Sequence, residues 1–200
     1  MMNETSMLDG LEMEKVKAIA DHYKAILQLI GEDPERDGLR KTPMRAAKAL
    51  AYLTSGYRRD AQTVLRSAIF EYAGSKIVVV RDIEFYSLCE HHILPFYGKV
   101  TIGYIPNGNM IGLSKLARLV EVYARRLQVQ ERLTREICDA LTSTLGARGV
   151  IVCCAAEHLC MKMRGVEKEL SATQTIEYSG DFENISLRQE FFNMLQNKML

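Results

Sequence analysis

The sequence lacks most of the features that sort a chain quickly. Its longest apolar run, Val150 to Ala156, is far too short to cross a bilayer, and the opening stretch MMNETSMLDGLEMEKVKAIA has no basic-then-apolar leader layout. Both observations predict a cytoplasmic, soluble protein with no membrane partner. Charge of neither sign is in excess. The 26 basic and 25 acidic residues leave +1, which excludes a general nucleic-acid or membrane-surface binder and requires any anionic ligand to be met by local charge. There is no Walker A pattern, internal repeat, low-complexity tract or Pro/Gly-rich linker. The five cysteines, Cys89, Cys138, Cys153, Cys154 and Cys160, are an odd count that favours free thiols or metal ligands over a disulfide framework. Histidine is scarce, at four residues.

What is present is enough for one real core: 200 residues, 48% of them hydrophobic, need neither disulfide nor metal simply to stay folded. Val16, Ile19, Ala20, Tyr23, Ile26, Leu27 and Ile30 recur at helical spacing and Gly31 stands where such a helix stops. A second helix follows, with Thr42 as its cap, Pro43 in its first turn and Gly56 closing it. From Lys76 the pattern turns to strands, KIVVVRDIEFYSL and GKVTIGYIP, with a turn signal at PNGN. Ser114 offers a cap to a helix carrying Leu116, Leu119, Val120, Tyr123 and Leu127, and a further helix ends at Gly146. GVIVCCAA reads as a buried strand, ELSATQTIEY as an alternating one, and SLRQEFFNMLQNK as a closing helix. The expectation is an α+β catalytic domain over 61–200 behind an N-terminal helical extension over 1–60.

Two of the four histidines are adjacent in CEHHILPF, on the connection between the first two long strands. Adjacent side chains on an extended segment point to opposite faces, so a core gains little from such a pair. Cys89 and His92 have the spacing at which one tight turn offers a thiolate and an imidazole to one ion. The second cluster, CCAAEHLC, ends in His158 and Cys160, which would share a face if that segment were extended. Cys153, Cys154 and Cys138 read as small core hydrophobes. Two arrangements fit: a closed structural zinc completed by Cys153 or Cys154, or an open Cys/His/Cys site with His91 and His158 beside it for proton transfer. The second gives those two imidazoles a purpose.

Around residues 111–118, IGLSKLAR sets Gly112, Ser114, Lys115 and Arg118 at a helix start, where backbone N–H groups and the dipole favour phosphate. An ordinary capped helix with a solvated basic face reads the same way. In QVQERL, Glu131 lies near the positive end of a helix dipole.

The segments GLRKTPMRAAKAL, CEHHILPFYGKVTIGYIP, IGLSKLARLVEVYARRLQVQERLT, EHLCMKMRG, SATQT and GDF, in that order, resemble the GTP cyclohydrolase I family. The resemblance implies a tunnelling fold: an antiparallel sheet with helices on one face, joined with neighbours into a ring-shaped homodecamer with sites at subunit boundaries. It implies GTP as substrate and Zn2+ as cofactor, held by Cys89, His92 and Cys160, with His91 and His158 handling protons. Glu131 with Gln130 would read the guanine edge, and Ser114, Lys115, Arg118 and Arg164 would surround the ribose and triphosphate. A fold relative acting on another purine or pterin, and a non-catalytic zinc-stabilised assembly protein, are the alternatives.

Overall fold

The structure, a computed structural model, describes residues 10–196. The expected closing helix ran to Lys198, and its last two residues lie outside the described residues. Contacts divide the chain between Ser55 and Gly56 into two compact units. In the first, α1 (Gly10–Leu29) and α2 (Thr42–Leu53) pack through Val16, Ala20, Ala47 and Ala51. Gly31 ends the α1 segment at φ +88, the left-handed conformation in which glycine has no Cβ penalty, and Glu32 N–H donates back to Leu27 O at 2.9 Å. Thr42 proves to be the first residue of α2, not its cap. Lys41 occupies the cap without a side-chain bond, and Pro43 stands in the first turn as expected.

Gly56, expected to close α2, lies beyond it and serves a different purpose in the second unit. Its N–H donates to Arg125 O at 2.9 Å, and a Cβ there would stand 2.1 Å from Val122 O, so only glycine permits this approach. The short α3 (Ala61–Arg66), which periodicity did not reveal, is capped by Asp60, whose carboxylate accepts from Thr63 N at 2.7 Å. A small antiparallel pair joins β1 (Ile69–Glu71) to β4 (Asn109–Ile111).

The main sheet has the order β5-β2-β3-β6-β7, built from β2 (Val78–Cys89), β3 (Pro95–Ile105), β5 (Leu127–Gln128), β6 (Gly149–His158) and β7 (Thr173–Gly180). Every pairing is antiparallel except the two-residue β5, which runs parallel to the end of β2. Alternation along β6 explains the layering. Val150, Val152, Cys154 and Ala156 face one core with Phe85, Phe96 and Val100, against Leu116, Leu119 and Val120 of α4 (Leu113–Ala124) and Leu133, Ile137 and Leu141 of α5 (Gln130–Leu145). Ile151 and Cys153 face the other way, where α7 (Ile185–Gln196) lays Phe191 and Leu195 over the end of the sheet. The result is an α+β unit, an antiparallel-rich sheet with two long helices on one face and a smaller apolar cluster under α7 on the other. Gly146, at φ +62, closes α5 as its sequence position predicts. Among the described residues no helix is long and apolar enough to cross a membrane.

Candidate active site

The hairpin turn between β2 and β3 is short and tightly wound. Cys89 ends β2; its carbonyl accepts from His92 N at 3.3 Å and Ile93 N at 2.8 Å, and its own N–H donates to Leu94 O at 2.8 Å. Closing so short a loop forces Ile93 to φ +55. A β-branched residue in the left-handed region carries strain of about 1–3 kcal/mol, held here by the surrounding bonds. Both His91 and His92 are thereby lifted off the strand and exposed, while Cys89 stays buried beneath them.

The second cluster folds differently from its sequence expectation. Strand β6 ends at His158, and Leu159–Lys162 form a single helical turn, α6, so His158 and Cys160 do not share an extended face. The turn instead swings Cys160 to the hairpin. The ligand atoms of Cys89, His92 and Cys160 all lie within 4.8 Å of one another, and Cys89 Sγ stands 3.9 Å from His92 Nδ1. Two ligands on one tetrahedral zinc, at the usual Zn–S and Zn–N lengths, stand roughly 3.6 Å apart. The donor set therefore fits a borderline-soft divalent metal with one coordination position left over. Cys160's thiol is pushed up by burial and then by the neighbouring Cys89 thiol, so a metal there must displace its proton. His91 Nδ1 is 4.0 Å from Cys89 Sγ, but it is not part of the three-ligand group.

Cys153 and Cys154 are likewise outside that group. Burial pushes their thiols up to about 11 and about 12, and that of Cys138 up to about 11. They remain protonated core residues, and the closed four-ligand arrangement has no fourth protein ligand among the described residues.

His158 stands at the end of β6 with its ring stacked on Phe96, centroids 4.7 Å apart and planes 3° from parallel. Burial lowers its pKa, against a smaller opposing pull from the Glu131 carboxylate. Its Nε2 is 2.8 Å from Gln130 Oε1. Gln130 itself departs from expectation. Only 1% exposed, it directs Nε2 to Cys154 O at 3.1 Å, Thr173 O at 3.0 Å and Thr175 Oγ1 at 3.2 Å, which leaves its amide no face for a guanine. Glu131, the next residue, is exposed on the first turn of α5.

Sequence reasoning missed what fastens the turn. Arg132 pairs with the Glu90 carboxylate and donates to Gln128 Oε1 at 2.9 Å, Gln128 Nε2 donates to Glu136 at 2.7 Å, and Glu90 N donates to Gln128 O at 3.0 Å. Only the four-residue spacing of Gln128, Arg132 and Glu136 hinted at this network; the partner Glu90 is remote in sequence.

Arg164 lies over the cluster, its Nη1 3.4 Å from His92 Nε2 and 3.5 Å from Cys160 O. Ser114 is not the cap of α4, because Gly112 holds that position and the helix begins at Leu113. Ser114 and Arg118 are exposed and Lys115 half-buried on the first turns. Among the described residues no hydrogen bond or ion pair links these three to the Cys89, His92 and Cys160 group.

Comparison with known proteins is consistent along the chain. The sequence model of GTP cyclohydrolase I matches residues 19–196. The chain is 52% identical over 187 residues to GTP cyclohydrolase 1 of Porphyromonas gingivalis, covering 92% of this chain and 97% of that protein. It is 53% identical over 175 residues to GTP cyclohydrolase 1 of Alkalilimnicola ehrlichii, covering 87% and 95%. Among solved structures, the archaeosine synthase QueF-Like in the apo form aligns at a TM-score of 0.44 with 16% identity, over 52% of this chain and 93% of that one.

Proposed function

Because the chain belongs to the GTP cyclohydrolase I family, we propose that it hydrolyses GTP at C8 of the guanine, releases formate, and rearranges the product to 7,8-dihydroneopterin triphosphate, the entry to pterin and tetrahydrofolate synthesis. The observation that carries this reading is the Cys89, His92 and Cys160 group, three ligands with a position to spare and two further imidazoles on the same two segments. In this reading those three residues hold zinc. When bound, zinc supplies Lewis acidity that brings the pKa of water from about 15.7 towards ~7.

The chain's own residues do the rest. Attack at C8 leaves an electron pair at N7, and exposed His91 delivers the proton that accommodates it. Half-buried His158, held neutral by its burial, accepts a proton as the ring opens and returns it in the later rearrangement. Guanine presents adjacent N1–H and N2–H donors, and the Glu131 carboxylate accepts both, which adenine does not offer. Ser114, Lys115, Arg118 and Arg164 meet the ribose and triphosphate. Arg164 suits that task for a reason of hydrogen inventory: with a metal on Nδ1, His92 carries hydrogen on Nε2, and a guanidinium, which only donates, has to aim at another acceptor.

The reading extends to assembly: a cytoplasmic homodecamer with sites at subunit boundaries. Two features favour an oligomer. Among the described residues most of the outer edge of β2 and all of β7's far edge have no strand partner, and large apolar residues beyond the cluster, Met163, Val166 and Leu170, are exposed. The purified protein incubated with GTP should release formate and develop pterin absorbance together. Formate without pterin would move the assignment to an enzyme that stops after ring opening, and neither product would refute it.

A further inference from the structure

The Gln130 side-chain amide makes four hydrogen-bond contacts, and they have a forced direction. Two of its contacts, Cys154 O at 3.1 Å and Thr173 O at 3.0 Å, are backbone carbonyls, which only accept. The NH2 end of the amide must therefore face them, whichever way an amide might otherwise be turned. The third contact resolves the same way. Thr134 Oγ1 spends its hydrogen on Gln130 O at 2.8 Å, so in the 2.6 Å contact between Thr134 and Thr175 the hydrogen belongs to Thr175. Thr175 Oγ1 is then left as an acceptor for Gln130 Nε2 at 3.2 Å. The two hydrogens of Nε2 are shared among these three acceptors, and the amide, Thr175 and Thr134 form a ring of contacts that returns to the Gln130 backbone carbonyl.

With Nε2 so fixed, Oε1 is the atom that faces His158 at 2.8 Å, and a carbonyl oxygen only accepts. From this we infer that Gln130 is a positioning residue that holds the His158 imidazole with its hydrogen on Nε2, pointed at the amide oxygen, so that Nδ1 is the nitrogen left free of this bond. The Phe96 ring, stacked at 4.7 Å, fixes the plane of the imidazole, and the amide fixes its rotation within that plane. The choice of amide also matters. A carboxylate at this place would stand against two carbonyl oxygens and bind imidazolium strongly, whereas the amide oxygen accepts from Nε2–H whether or not Nδ1 carries a proton.

This inference rests on the proposed proton-handling role of His158, and the test separates the two. Metal-loaded protein carrying 15N-histidine is observed by magic-angle-spinning NMR, with the His158→Ala spectrum identifying the ring among four histidines. The expected result is hydrogen on Nε2; a ring whose Nε2 carries no hydrogen overturns the inference, and this measurement needs no variant of Gln130. In Gln130→Met, bound metal should be retained, the single tautomer should give way to a mixture, and kcat should fall on the order of 10²-fold with KM for GTP unchanged. A raised KM with kcat preserved would make Gln130 a substrate contact and refute the positioning role. If His158→Ala itself turns over normally, the proton-handling reading fails, while the tautomer result is decided independently.

Discussion

Gly98→Ala should damage both stability and catalysis, although the residue touches neither metal ligand nor substrate. Gly98 lies mid-strand on β3, opposite Phe85 on β2 and Ala156 on β6. Its φ is not in the left-handed region, so alanine meets no conformational objection, only a steric one. A Cβ there would sit 2.0 Å from Ala155 O and 2.7 Å from Ala156 Cα. These are backbone atoms of the neighbouring strand and cannot rotate aside, so β3 and β6 must separate by roughly 1 Å, the distance that restores an ordinary carbon–oxygen contact. Overpacking of this kind costs about 1–3 kcal/mol, and the loss of unfolded-chain entropy returns about 0.4–1 kcal/mol. A net loss of about 1 kcal/mol lowers the melting temperature by about 2–4 °C for a chain of this size. The strain is centred two residues from the Phe96 and His158 pair, so turnover measured well below the melting temperature should fall even in fully folded protein. Thermal melting of metal-loaded protein, with initial rates at a temperature where both proteins are folded, checks the reasoning. An unchanged melting temperature would refute it, since it would mean that the sheet absorbs a methyl group where the geometry leaves none.

Three further outcomes test the site. Cys89→Ala and Cys160→Ala should lose bound zinc and activity while Cys154→Ala keeps both, as read by metal analysis of the purified proteins; equal loss in Cys154→Ala would revive a four-ligand site. His91→Ala should keep its zinc and lose turnover by about 10²–10⁴-fold, and loss of metal there would exchange the roles of the two adjacent histidines. Apparent zinc affinity, measured by chelator competition, should rise with pH through and above the ordinary thiol range. The bound form of Cys160 is the thiolate, its thiol is held protonated to higher pH by burial, and each thiol deprotonated on binding adds up to about tenfold per pH unit.

Much of this architecture was readable because it depends on local chemistry. The ends of α1 and α5 were marked by Gly31 and Gly146, which adopt the left-handed conformation their positions demanded, and the two-faced strand GVIVCCAA was marked by an apolar run bounded by Gly149 and a polar cluster. The Cys89 and His92 spacing carried the metal turn for the same reason: one hairpin supplies both ligands. What was not readable depended on distant partners. Nothing local distinguishes Ser114 as an exposed second residue of α4 from a cap, because Gly112 takes that place through its own backbone. The family resemblance implied that Gln130 reads the guanine edge with Glu131, but its three acceptors come from β6 and β7 and appear only when those strands pass beside α5. Cys160 was reached by the wrong path, since a helical turn of four residues is too short for periodicity to register.

Strand β6, flanked by β3 and β7, buried along one face and covered at Ile151 and Cys153 on the other, has kinetic consequences for a metal held at the Cys89, His92 and Cys160 group. Its amides open only with the global unfolding of the sheet, so they should be among the slowest in the molecule to exchange with deuterium. Cys160 lies two residues past the end of that strand, whereas His92 belongs to an exposed, strained turn held by the backbone bonds of Cys89 and by the Glu90 and Arg132 clasp. The two jaws of the site therefore differ in lifetime: one is fixed for as long as the protein is folded, and the other opens by local fluctuation. Metal dissociation should begin with His92 leaving, and its rate should follow the opening of the turn, not the stability of the sheet.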